Sequence, residues 1–403
     1  MDADAPRLTA AQAASRLGVK PQSLYAYVSR GWITRVRDAS GSSFDPLEIE
    51  AFAAQRARRT PAVSRAGGAP LMVLDTDVAL IEDDRLYLRG MVADDLAREY
   101  AFDSVAAWLW GEPLREDRRL RVAEETVDAA RALLAHLPAT ASWIDRAVVA
   151  VRGLAIADPL RDDVDASALP RVGEAIVAGL PRALGPAASV PDAPSVPDAL
   201  WWALSGRVAS PAEKAALNAA MVLSIDHDLA VSTFAGRIAA SARASGYAIV
   251  TAALGAFDSP LHGTASVAAA QLIDRVVAGV PAELAIRTQL QTLGRRVPGF
   301  GQPLYEGIDA RAACLLDVIG PLPGGPAVLE AVDDLRHAMR STRLQPNVDL
   351  ALGALAIAAD LPHDAGALVF AVARSAGWIA HAQREYEERP LRLRPHGRYT
   401  GPR

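Results

Sequence analysis

The chain of 403 residues has one cysteine, Cys314, and only two lysines, Lys20 and Lys214. A single cysteine excludes an internal disulfide and any cysteine-based zinc cluster. With arginine carrying nearly all the positive charge, its abundance reflects base composition rather than a site. Aromatic residues make up only 5% of a chain that is 51% hydrophobic and rich in Ala, Leu and Val, a balance that suits a soluble helical protein. No stretch of about 18 uncharged apolar residues occurs, so no membrane span is expected. The opening Met1-Asp2-Ala3-Asp4 is acidic and lacks the basic and apolar regions of a signal peptide, which makes the cytoplasm the expected compartment. The length suffices for two or three domains and a large core.

Charge is unevenly spread. The net charge is -5, yet residues 1–65 hold ten basic and six acidic side chains and are +4, leaving -9 on the remainder. A basic head on an acidic body points to an acidic partner for the head. Its pattern is helical. Thr9 is a candidate N-cap for a run to Leu17, Gly18-Val19 makes a turn, and Pro21 suits the first position of a second helix to Ser29. Trp32 to Arg37 reads as a short strand, Asp38 to Ser43 as a polar turn with Phe44 starting a return, and Pro46 to Arg59 as a third helix. This order resembles the winged helix-turn-helix of MerR-type regulators and phage excisionases, in which the second helix enters the major groove and the wing touches phosphate. The resemblance implies that Gln22, Ser23, Tyr25 and Tyr27 face DNA, with Lys20, Arg30, Arg35 and Arg37 on the backbone. Without DNA, the same residues make a small helical cap with a solvated Arg tail. Thr60 to Pro70, with two prolines and Gly67-Gly68, reads as a linker.

Beyond the linker, Leu71 to Leu80 and Arg85 to Arg89 read as a hairpin around Glu82-Asp83-Asp84, and nearly every later periodic segment has helical spacing. The exception is 183–199, where Ser-Val-Pro-Asp-Ala occurs twice and a surface loop is expected. Three segments then stand out: Ser259-Pro260-Leu261-His262-Gly263, Arg296-Val297-Pro298-Gly299-Phe300-Gly301 and Pro346-Asn347-Val348-Asp349. Their order and spacing resemble those of citrate synthases, and the resemblance runs from about Leu71 to the end. It implies a mostly α fold, a large helical domain (63–263 and 350–403) and a small one (264–349), preceded by the winged helix-turn-helix at 1–62.

The same resemblance assigns roles. His227, Arg311, Arg374 and Arg394 match the oxaloacetate-binding positions, and Arg forks suit carboxylates because two parallel N–H groups meet two oxygens. Taken singly each has a plain explanation, a core histidine or a surface arginine. His227 is expected on a long helix, and Arg394 is expected to reach across a homodimer into the partner's site. Asp349 would be the base that takes a methyl proton from acetyl-CoA, and His262, expected at a helix N-terminus, the neutral donor to the enolate oxygen. Pro298, Gly299, Phe300 and Gly301 would approach CoA. Gln302 stands where the family carries a second catalytic histidine; its amide can donate a hydrogen bond but cannot carry charge or release a proton. Ser259, Thr264, Ser266 and Ala310 also depart from the pattern. The implied reaction is a slow condensation of acetyl-CoA, or another short acyl-CoA, with oxaloacetate, needing no metal and no cofactor beyond the CoA substrate. A second reading makes the body a ligand sensor for a DNA-binding head, and a third gives the head a role in assembly only.

Overall fold

A computed structural model describes residues 6–38, 41–59, 73–186, 194–293 and 297–402. The linker at 60–70, Arg296, the opening four residues and the first Ser-Val-Pro-Asp-Ala copy (189–193) lie outside them. In chain order the head comprises β1 (Leu8–Thr9), α1 (Ala10–Leu17), α2 (Pro21–Ser29), β2 (Arg35–Asp38), β3 (Gly41–Phe44) and α3 (Pro46–Arg59). A three-stranded antiparallel sheet follows, β4 (Ala79–Glu82), β5 (Arg85–Leu88) and β6 (Met91–Val92). The rest is helical: α4 (Ala93–Glu99), α5 (Phe102–Leu109), α6 (Glu124–Leu134), α7 (Trp143–Ala157), α8 (Leu169–Leu184), α9 (Val196–Ser205), α10 (Pro211–Ser224), α11 (Val231–Ser241) and α12 (Gly246–Phe257). Then come α13 (Ala265–Val277), α14 (Ala282–Leu293), α15 (Ala310–Val318), α16 (Gly325–Met339), α17 (Val348–Ala358) and α18 (Ala365–Tyr386), with a 3-10 turn at Arg340–Thr342.

Two compact units form, Met1–Asp75 with Ala265–Gly366, and Thr76–Thr264 with Ala367–Arg403. This division into compact units runs differently from the expected domain boundaries: 350–366 groups with α13 to α16, and the head belongs to that same unit. The reason for the first shift is backbone packing. A Cβ on Gly353 of α17 would lie 2.6 Å from the Ala270 backbone nitrogen, so α17 meets α13 too closely to be separated from it. The head docks through Asp45, which pairs with Arg287 on α14 at 3.4 Å, while Gln291 donates to the Arg7 carbonyl.

Within the head, Leu8, Ala13, Ala14, Leu17, Leu24, Ile33, Phe44 and Ile49 form a separate hydrophobic core. Thr9 caps α1 in a reciprocal box with Gln12, and Gly18 ends it in the left-handed conformation at φ 60°. Two expectations shift. Trp32 lies outside the strand because its N–H bonds the Tyr27 carbonyl and completes the end of α2. Ser42 and Ser43 are strand rather than turn, paired with Arg37 and Val36.

In the second unit the β4–β5 turn is made by Asp83 and Asp84, both at positive φ (50° and 57°), as a two-residue hairpin loop requires. The second Ser-Val-Pro-Asp-Ala copy is not a loop. Ser195 accepts from the Asp198 N–H and Asp198 returns the bond, so the repeat opens α9 as a capping box with Pro near its first turn. Helix α18 is 22 residues long and apolar enough to cross a membrane, but its apolar window is wholly buried in the protein, as in a core helix.

Candidate active site

Three expected site residues and the expected CoA loop share the first unit. The Pro298–Gly301 turn pairs with the segment before α17: the Gly301 N–H bonds the Gln345 carbonyl at 2.8 Å and the Asn347 N–H bonds the Gly299 carbonyl at 2.9 Å. Phe300 and Pro346 form the bridge between them. Gly299 has φ +78° and a Cβ there would sit 2.7 Å from the Leu350 Cβ, so both conformation and space demand glycine. Asn347 joins the two segments a second time, its Nδ2 donating to the Gly301 carbonyl at 3.1 Å while its Oδ1 accepts the Asp349 N–H at 3.0 Å. Asp349 therefore sits in the first turn of α17, half-buried, a position that suits a carboxylate. Gln302 follows the turn directly and is half-buried, its Oε1 3.5 Å from the Leu304 N–H.

Arg311 is buried, at 2% exposure, and gripped by Asp309: Nε to Oδ1 at 3.0 Å and Nη2 to Oδ2 at 2.7 Å. Burial works against the guanidinium charge, but the Asp309 carboxylate, helped by Tyr305 and Asp349, outweighs it and raises the Arg311 pKa further. Asp309 also N-caps α15 and accepts the Val348 N–H at 3.2 Å, so one buried carboxylate ties Arg311 to the start of the Asp349 helix. No family motif marks Asp309, although an Asp just before a helix start is an N-cap signal. Ala310, one of the departures from the family pattern, fills the first helical position of α15, which alanine suits.

The second unit holds His227, Arg374 and His262. His227 is not on a helix: α10 ends at Ser224, and His227 lies in the following turn, buried, before Asp228 at φ 55°. Helix α18 clamps this turn at successive helical positions. Arg374 Nε donates to the Ser224 carbonyl at 2.8 Å, Gly377 leaves room for the Ile225 carbonyl, and His381 Nε2 meets Asp226 Oδ2 at 3.0 Å. The Arg374 guanidinium also lies 4.7 Å from the Phe370 ring centroid. His262 sits in the turn between α12 and α13, three residues before α13 rather than in its first turn. Its Nε2 is 2.7 Å from the Ser232 hydroxyl, and its ring meets Phe257 and Phe370 edge-on. Gly263 is required, because a Cβ there would strike the Phe257 ring at 2.1 Å. Ser259 is absorbed by the turn, its hydroxyl accepting the Leu261 N–H. Ser232, Asp226 and His381 had no motif to mark them. Their partners lie 30 to 155 residues away in the chain.

Arg394 is exposed, in the coil that follows α18. In the head, Lys20, Gln22, Tyr25, Arg30, Arg35 and Arg37 are exposed and Ser23 is half-buried. Tyr27 does not join them; it packs against Trp32 at 5.7 Å and Phe52 at 5.1 Å, which corrects its placement on a DNA face. Among the described residues, no group of three or more His, Cys, Asp or Glu is placed to hold a metal ion.

The fold itself is known. The citrate synthase of Thermoplasma acidophilum, solved as a ternary complex with carboxymethyl coenzyme A and oxaloacetate, matches with a TM-score of 0.69 at 24% identity, over 83% of this chain and 95% of that one. The citrate synthase of Pyrobaculum aerophilum matches at 0.69 and 20% identity over 92% and 95%. This is the mostly helical citrate synthase fold. In sequence, the family model described as citrate synthase, C-terminal domain, covers residues 67–396, and the chain belongs to that family. Its relatives include citrate synthase 2 of Bacillus subtilis, 27% identical over 81% of this chain and 93% of the relative. A 2-methylcitrate synthase of Corynebacterium glutamicum is 27% identical over 79% and 90%.

Proposed function

We propose that this protein condenses a short acyl-CoA with oxaloacetate and hydrolyses the resulting thioester, releasing CoA. The observation that carries the reading is the cross-linking of the Gly299–Gly301 turn to the start of α17 through Asn347, which fixes Asp349 and Gln302 in one small framework. In this reading Asp349 takes the α-proton of the acyl group, and His262 donates a hydrogen bond to the enolate oxygen. The enolate carbon attacks the oxaloacetate ketone, whose oxygen receives a hydrogen bond from the Gln302 amide. Lacking a proton to give, Gln302 leaves the alkoxide to be protonated by water, and the step is slow, since general-acid help is typically worth about 10²- to 10⁴-fold. His227, Arg311 and Arg374 bind the dicarboxylate, and Arg394 completes the site of a second copy in a homodimer. Relatives named as citrate and as 2-methylcitrate synthases make acetyl-CoA and propionyl-CoA the first substrates to try.

The deciding experiment follows CoA release from acetyl-CoA and from propionyl-CoA, with and without oxaloacetate, using Asp349→Ala as blank. Oxaloacetate-dependent release above the blank supports the condensation. Its absence, with oxaloacetate binding retained in calorimetry, overturns it in favour of a second reading: a cytoplasmic, metabolite-responsive DNA-binding regulator. That alternative draws on the outward placement of Lys20, Gln22, Tyr25, Arg30, Arg35 and Arg37 on a head with its own core. DNA from around the protein's own coding sequence that is not retarded, with or without ligands, would count against it.

A further inference from the structure

The docked head creates a cavity that neither reading uses. Between α3 and the Arg340–Thr342 turn lies a space of about 400 Å³, lined by Trp32, Glu48, Phe52, Gln55, Ser341 and Arg343. Its size and its position at a junction between substructures are those of small-ligand sites, as is the mixture of an aromatic wall with a few polar groups. Trp32 is 50% exposed, so part of the indole remains open to the cavity even with Arg30 over its ring. The wall is rigid: Trp32 is braced by Tyr27 and Phe52 at 5.7 and 6.2 Å. Arg30 lies 5.1 Å from the indole centroid. Glu48 is oriented by the Thr34 N–H at 2.9 Å. Arg343 is held at φ +56° just past the turn.

We propose that this cavity binds a nucleoside monophosphate. The base covers Trp32 and Phe52, its N–H groups meet Glu48 and Gln55, and the phosphate meets the Arg343 guanidinium and the Ser341 hydroxyl. The site is wired to the Gln302 turn. Thr342 Oγ1 accepts the Leu344 N–H at 3.0 Å, Leu344 packs over Gly301, and the Gln345 carbonyl takes the Gly301 N–H. Ordering Arg343 and Ser341 therefore steadies the segment on which the Gly299–Gln302 turn is hung. The proposal does not require turnover, so it stands or falls separately from the condensation.

The test uses the full-length protein and calorimetry with adenosine 5′-monophosphate, adenosine and inorganic phosphate in turn. The expected result is saturable binding of the nucleotide, one per chain, about tenfold or more tighter than either fragment. Arg343→Asn, chosen because Asn tolerates the left-handed backbone, should weaken it about tenfold, and Gln55→Ala, on an exposed helix face, about threefold. Hydrogen exchange should slow at 299–302 and 341–347 on binding. No binding, equal affinity for phosphate alone, or unchanged affinity in both variants overturns the site. So does competitive displacement by acetyl-CoA with oxaloacetate, which would put the nucleotide among the substrate residues. Binding without slowed exchange at 299–302 overturns the coupling.

Discussion

In the proposed condensation, Gln302 is the one side chain expected to set the rate the rest of the site can reach. Its backbone is fixed by a turn that has glycine at both sterically demanding positions, so a change of side chain leaves the framework in place. Gln302→His should therefore raise turnover by about tenfold or more, read as oxaloacetate-dependent CoA release; an unchanged rate would place the deficit elsewhere, with Ser266 and Thr264 the first suspects. Asp309 invites the opposite experiment. It is the hydrogen-bonded counter-charge of a guanidinium that is 2% exposed, and breaking a buried pair by removing one partner typically costs about 3–5 kcal/mol. Asp309→Ala should lower stability on that order in chemical denaturation and weaken oxaloacetate binding. A loss below about 1 kcal/mol, the range of surface pairs, would mean that Arg311 finds another partner.

Helix α18 shows how an element positions a site. Its residues 374, 377 and 381 touch the backbone or side chains of 224, 225 and 226, the spacing by which one helical face repeats. Gly377 is the tightest point, since a Cβ there would come within 2.2 Å of the Ile225 carbonyl oxygen. Gly377→Ala should displace the turn that carries His227, lowering stability by about 1–3 kcal/mol, the usual cost of overpacking. Calorimetry should show weaker oxaloacetate binding as well; full affinity would show that the clamp does not set His227. The helix's period and apolarity are plain in the sequence. Its partner is not, because the contacts span about 150 positions of chain. The miss at 195–199 has a different cause, because its signal is local: Pro and Ser look like loop composition until Asp198 is seen as the third residue of a capped helix.

On the scale of the whole molecule, buried charge couples folding to pH. Asp103, fully buried, accepts the Leu120 N–H at 3.1 Å and the Val196 N–H, joining three chain segments. Burial outweighs those donors and pushes its pKa up to about 6 from 3.8. The native state thus keeps a proton that the unfolded chain has released over that interval, so Asp103's contribution to stability is greatest below the lower value and is lost as pH rises through about 6. Asp103→Asn keeps an acceptor and removes the charge. It should melt higher than wild type at about pH 8 and gain much less at about pH 5; an equal gain at both would assign the effect to packing. The head offers a second test at this scale. If it reads DNA, Arg35→Ala and Arg37→Ala should each weaken binding of all sequences alike and reduce the salt slope by about 1, measured by anisotropy across a salt series. What the sequence by itself determined was the local order: helix periods, the cap at Thr9, the turn at Gly18, the Pro46–Arg59 helix, the hairpin around Asp83-Asp84, and the motifs that carry the family resemblance. Each depends on residues within a few positions of one another, where backbone conformation and hydrogen bonding are decided. Only the tertiary structure decided that the head joins the unit holding Gln302 and Asp349, that Asp309 reaches the Val348 N–H 39 positions on, and that α18 clamps the His227 turn. Those are burial and pairing choices among distant groups, made by packing, and no local pattern encodes them.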